Sequence, residues 1–191
     1  LVIRFERIYP PRDEEHIIWC EDFEDAIRQI RKEDIFTLLA LTGVQSIAKL
    51  KPLWQESACC YFRILNRESS RRLAELEGFP EKYLHYYHAG EDERILLQRL
   101  HPEAILIKES GLSGGFNEKV EAALQEGIRI FAIRRPPMPG SFMIVNGEHG
   151  LRRMIEKHLP DFYPLRSGLT TGTCAAAAAV AATWDIFNIQ R

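Results

Sequence analysis

The chain has 191 residues, 46% of them hydrophobic, enough for one full-sized core or for a core plus a piece of a second unit. Its 25 Lys and Arg stand against 27 Asp and Glu, a net charge of −2, so no global basic face points to nucleic acid and any anion site must be local. The longest small-apolar run, Ala175 to Ala182, falls far short of the roughly 20 residues that span a bilayer, and no membrane partner is expected.

The chain opens on "LVIRFERIYPP", an apolar, strand-like run that begins at Leu1 rather than at a methionine, as expected of a piece of a longer chain. "HIIWC" reads as a strand and precedes "EDFEDAIRQIRKE", whose Phe23, Ala26, Ile27 and Ile30 recur at helical spacing. "DIFTLLALTG" is a buried-strand run ending in Thr42 and Gly43, followed by the amphipathic "VQSIAKLKPLW". "CCYFRIL" is a strand, and "RESSRRLAELEGF" a helix stopped by Gly78 and Pro80. Next come the helix "EDERILLQRLHPE", the strand "AILIK", the helix "NEKVEAALQEG" closed by Gly127, and the strand "IRIFAIRR" ended by Pro136 and Pro137. Such alternation with uninterrupted apolar strands predicts an α/β, Rossmann-like parallel sheet with helices on both faces over residues 1–139. "EHGLRRMIEKHL" adds a short amphipathic helix within a linker over 140–164, and "PDFYPLRSGLTTGT" leads into an alanine-rich helical tail, residues 165–191.

Cys20, Cys59, Cys60 and Cys174 form no CxxC pair, and adjacent Cys59 and Cys60 would face opposite sides of a strand. They read as reduced thiols of a cytoplasmic protein. His85 and His88 lack neighbouring cysteines or a third spaced ligand, so no metal site is expected.

In open α/β sheets ligands lie outside the carboxyl ends of the strands, and "KESGLSGG", Lys108 to Gly115, is such a connection. Gly111, Gly114 and Gly115 let the backbone turn tightly, Ser110 and Ser113 add donors, and free N–H groups opening the next helix attract negative charge. Lys108 contributes a mobile full charge. The segment is not GxGxxG, and an ordinary glycine-rich turn with a solvated lysine stays open beside an anion site. "LALTGVQSI" is a second such turn, where Thr42, Gly43 and Gln45 either frame a crevice with the first or simply cap a helix. Arg135, beside Arg134 at another strand end, could fork onto a carboxylate, and Arg63 inside "YFRIL" requires an ion-pair partner or a ligand.

"ALTGVQSIAKLKPL", "YFRIL", "ILIKESGLSGGFNEKVEAA" and "FAIRRPPMP", in this order and spacing, resemble the C-terminal half of the precorrin-6A and cobalt-precorrin-6A reductase family of cobalamin biosynthesis. "LRSGLTTGTCAAAAAVAA", residues 165–182, is similar to the N-terminal signature of the cobalt-precorrin-5B C1-methyltransferase family. Together they resemble the junction of a bifunctional chain whose N-terminal reductase half and methyltransferase domain lie outside it. The resemblance implies hydride transfer from NADH or NADPH to a tetrapyrrole rich in acetate and propionate groups, with S-adenosylmethionine serving only the methyltransferase part. It also implies that this piece is inactive by itself. Lys108 is the first candidate for a substrate carboxylate; Lys108 to Gly115 holding the cofactor's phosphate is the alternative, with Thr42, Gly43 and Gln45 on the nicotinamide side. No residue stands out as a catalytic acid. In the tail, Thr171 or Thr173 caps the helix, Thr170 to Thr173 form a binding loop by resemblance, and Ile186 and Phe187 are expected to pack on the sheet domain or on another copy. Two other readings stay open: a non-catalytic anion- or nucleotide-binding module, and a scaffold for the methyltransferase.

Overall fold

The computed structural model describes residues 2–6, 9–56, 59–111 and 114–159. In chain order its elements are β1 (Val2–Phe5), β2 (Ile17–Cys20), α1 (Phe23–Lys32), β3 (Thr37–Ala40), α2 (Ser46–Lys49), α3 (Lys51–Trp54) and β4 (Cys59–Leu65). There follow α4 (Glu68–Leu76), a 3-10 turn (Glu81–Tyr83), β5 (Leu84–Tyr87), α5 (Glu93–Leu100), β6 (Ala104–Lys108), α6 (Phe116–Gln125), β7 (Arg129–Ile133), β8 (Phe142–Val145) and α7 (Gly147–His158). They fall into two compact units, Arg7–Met138 and Leu1–Glu6 with Pro139–Arg191. Among the described residues no helix is long and apolar enough to cross a membrane.

The larger unit is a six-stranded sheet in the order β2-β7-β6-β3-β4-β5, with every pairing parallel. Strand alternation sends side chains to opposite faces, and each face has its own core. On one, Leu38, Ala40, Phe62, Leu106 and Phe131 meet Ala26, Ile27 and Ile30 of α1, Ile47 of α2, Leu53 of α3 and Ala74 of α4. On the other, Leu39, Ile105, Ile107 and Ala132 meet Leu96 and Leu97 of α5 and Phe116, Ala122 and Ala123 of α6. The expected α/β sheet with helices on both faces is therefore the observed fold. Central β6 shows why its run is apolar throughout: Ala104, Ile105, Leu106 and Ile107 are each at most 1% exposed. Burying each Ile or Leu contributes roughly 1.5–3 kcal/mol.

Local chemistry sets the helix ends. The Asp22 carboxylate accepts from the Asp25 N–H at 2.7 Å to cap α1, with Glu24 and Asp25 in the first turn and Arg31 and Lys32 in the last, complementing the helix dipole. The C-terminus of α5 closes on His101 in the left-handed conformation at φ 45°.

β5 was not expected from the sequence. It is an edge strand whose residues Leu84 to Tyr86 are half-buried, and it lacks the unbroken apolar run that marks the interior strands. The smaller unit differs from expectation more substantially. β1, expected in the sheet of residues 1–139, instead pairs in parallel with β8, Val2 opposite Phe142 and Phe5 opposite Val145. The segment expected to be a linker over 140–164 thus contributes a strand as well as α7. Short runs such as "VIRF" and "FMIV" specify strand conformation but not a partner. The helical tail over 165–191, with its threonine loop and Ile186 and Phe187, lies outside the described residues.

Candidate functional site

The strand order creates a topological switch point between β3 and β6. The chain leaves β3 through α2 and α3 on one face towards β4, and leaves β6 through α6 on the other face towards β7. The two carboxyl ends are held side by side, the Leu41 N–H donating to the Leu106 carbonyl at 2.8 Å. Connections diverging to opposite faces open a crevice at that point. The turns that begin at Thr42 and at Lys108, which no sequence periodicity could bring together, follow these two strand ends as its two sides.

In the first wall, Gly43 adopts φ 84°, a conformation that favours glycine. The Ser46 hydroxyl donates to the Gly43 carbonyl at 2.6 Å, and Thr42 Oγ1 lies 2.6 Å from Ser46 Oγ. Ser46 has one proton and spends it on Gly43, so the buried Thr42 hydroxyl donates to Ser46 and keeps only lone pairs to offer a ligand. Gln45 is exposed at the start of α2, and its side chain makes no cap bond.

In the second wall the predicted lysine and the predicted glycine loop part company. Alternation along β6 puts Lys108 on the face of Ala104 and Leu106, where its Nζ stands 5.4 Å from the centroid of the Phe23 ring at the start of α1. The Lys49 Nζ, from α2, stands 4.8 Å from the same ring. Burial, and secondarily the charge of Lys49, lower the pKa of Lys108 from its ordinary value. Glu109 is engaged by Arg12 through contacts of 3.0 and 2.9 Å and by the Arg135 N–H at 2.9 Å. Burial would raise its pKa, but these hydrogen bonds and charges together hold it below the usual value.

The glycine loop turns towards the opposite face, where α6 begins. Lys119 of α6 donates from Nζ to the carbonyls of Gly114 and Gly115 at 3.0 Å each. Gly115 takes φ 66° as the residue before the helix, and no side chain caps α6. Those two carbonyls accept from Lys119 beside the first turn of α6, where the positive end of the helix dipole lies. Gly114 has no room for a side chain, because a Cβ there would stand 2.5 Å from the Ser110 Cβ and collide with its hydroxyl. Ser110 itself donates weakly to the Gly114 carbonyl at 3.4 Å, and Gly111 is buried, its carbonyl accepting from Gly114 at 2.7 Å. Ser113 lies outside the described residues.

Arg135 lines the same cleft as Lys108, whereas Arg63 lies elsewhere. Arg63 is buried on the α5 and α6 face, paired with Glu93 through bonds of 2.5 and 2.8 Å and stacked over Tyr87 at 5.2 Å. That is the ion-pair alternative its position in an apolar strand required. The exposed Arg135 lies 3.9 Å from the centroid of the Tyr9 ring. Sequence reading passed over Phe23, Lys49, Glu109 and Lys119. Nothing in the spacing of a lone helix lysine distinguishes one that meets a ring from one that faces water.

In general a helix N-terminus attracts anions, and ammonium groups pair with carboxylates. The chain is 27% identical over 135 residues to the cobalt-precorrin-6A reductase of Methanocaldococcus jannaschii, a stretch that is 70% of this chain and 53% of that protein. It thus spans about half the length of the curated relative it matches. A solved structure, CobK precorrin-6A reductase, shares the fold with a TM-score of 0.63 at 16% identity, over 82% of this chain and 61% of that one. The family described as precorrin-6x reductase CbiJ/CobK matches residues 1–154. Four-fifths of the sequence therefore lies within that match, and the chain belongs to the precorrin-6x reductase CbiJ/CobK family.

Proposed function

We propose that the chain is part of a reductase that transfers a hydride from NADH or NADPH to precorrin-6A, or to its cobalt form, in cobalamin biosynthesis. Bound nicotinamide supplies the hydride to one carbon of a ring double bond, and a proton adds to the neighbouring carbon. The chain's own residues bind and orient. The N–H groups opening α6, in the frame set by Gly111, Gly114 and Lys119, receive a diphosphate. Lys108 receives a carboxylate of the tetrapyrrole rim, and Gly43 leaves the other wall open to a flat ring. The observation that carries this reading is the adjacency of the β3 and β6 ends, with connections leaving on opposite faces and Lys108 at the mouth. Family membership points the same way.

Residues 165–191 are proposed to begin a cobalt-precorrin-5B C1-methyltransferase, which would use S-adenosylmethionine. With half a reductase and the start of a second enzyme, the 191-residue chain is expected to lack turnover alone. The test is NAD(P)H oxidation with precorrin-6A by a full-length reductase containing this chain, with and without Lys108→Met. A rise in KM for the tetrapyrrole, with the KM for NAD(P)H unchanged, supports the assignment. An unchanged KM for both, or full turnover by the 191-residue chain alone, overturns it.

A further inference from the structure

The Phe23 ring carries two ammonium groups, Lys49 at 4.8 Å and Lys108 at 5.4 Å from its centroid, although like charges so placed repel. Attraction to the ring offsets part of that repulsion. The two lysines border a cleft of about 360 Å³ whose rim also holds Glu21, Asp22, Glu109, Arg134 and Arg135. Each of those carboxylates is already committed. Glu21 accepts from Arg134 at 2.8 Å, Asp22 caps α1, and Glu109 is held by Arg12 and the Arg135 N–H. Among the described residues neither Lys49 nor Lys108 has a carboxylate partner. A folded chain that engages each rim carboxylate elsewhere and leaves two lysines facing a cleft has built a place for negative charge.

We propose that Lys49, Lys108 and Phe23 form a cradle for a compact dianion, two negative charges carried on one small group. A single carboxylate would satisfy one ammonium and leave the other repelled; a dianion satisfies both. Two ligands of a reductase of this family carry that chemistry: a phosphate monoester, such as the 2′-phosphate of a dinucleotide, and a pair of carboxylates on neighbouring carbons of a pyrrole ring. The inference deepens the proposed function, on which it rests for these ligands, and adds Lys49 and Phe23 as residues that select for charge number.

The test is calorimetric titration of the chain, and of its Lys49→Met, Lys49→Arg and Lys108→Met variants, with three probes. These are 2′-AMP, a pyrrole bearing adjacent acetate and propionate groups, and the same pyrrole with one acid amidated. The expected result is that one dianionic probe binds and that either methionine variant weakens it at least tenfold. Lys49→Arg retains the binding, and the monoacid gains little from Lys49. Whether 2′-AMP or the diacid binds identifies the source. Failure of both dianions to bind, or binding that Lys49→Met leaves unchanged, overturns the cradle. If the cradle binds as expected while a full-length reductase carrying Lys49→Met and Lys108→Met keeps both KM values, the cradle stands and the reductase reading of the crevice falls.

Discussion

Arg63, the one charged residue inside the apolar strand β4, is held by Glu93 of α5 through two parallel hydrogen bonds of 2.5 and 2.8 Å. Only 7% of Arg63 is exposed, so the guanidinium depends on that carboxylate for most of its solvation. Glu93→Gln is expected to destabilise the larger unit by about 3 kcal/mol, the cost typical of leaving a buried charge unpaired. The double variant Arg63→Met, Glu93→Leu should recover most of that loss, because an apolar pair needs no solvation. Urea denaturation of the three chains checks both points.

Gly114 is expected to be irreplaceable for a steric reason rather than a conformational one. Alanine there would place its Cβ 2.5 Å from the Ser110 Cβ, and overpacking of this kind costs about 1–3 kcal/mol. Ser110→Gly removes the obstructing atoms and should rescue Gly114→Ala in the same background. Thermal unfolding reports the rescue, and a Gly114→Ala midpoint equal to that of the parent chain would refute the steric account.

Dianion binding should depend on pH through Lys108. Its ammonium form is the binding form, and burial together with Lys49 lowers its pKa below the ordinary 10.5. Affinity is therefore expected to start falling, as pH rises, before an ordinary lysine would lose its proton. Lys49→Met removes the like charge, so the Lys108 pKa should rise and the fall move to higher pH, even as affinity drops overall. The other charged groups on this cleft are Glu21, Asp22, Glu109, Arg134 and Arg135. Proton-detected or 13Cε NMR titration of Lys108 measures the shift directly.

The thiols should separate by burial. Desolvation pushes both Cys20 and Cys60 up to about 12, and both are buried, whereas Cys59 on the neighbouring position of β4 is partly exposed. Alkylation of the native chain at about pH 8, followed by peptide mapping, is expected to label Cys59 and to leave Cys20 and Cys60 unmodified until the chain is unfolded.

Much of the fold is legible in the sequence. Uninterrupted apolar runs such as "AILIK" must be covered on both faces, and their alternation with amphipathic stretches leaves a helix-covered parallel sheet as the solution. The positions of the strand-to-helix turns followed as well, because glycine and serine clusters punctuate the apolar pattern where a chain must reverse. Tertiary structure alone decided which turns meet. Strand order put β3 beside β6, so that Thr42 and Lys108, 66 positions apart, follow neighbouring strand ends, and β1 paired with β8 instead. It also split the lysine from its own glycine loop, giving Lys108 to Phe23 and Lys49 and giving the loop to Lys119. The pairing of Arg63 with Glu93 belongs to the same class. Local sequence chooses the conformation of each segment through backbone preference and burial of its own apolar face. The partner of a charge or of an edge strand depends on contacts between segments, and these exist only once the whole sheet has formed.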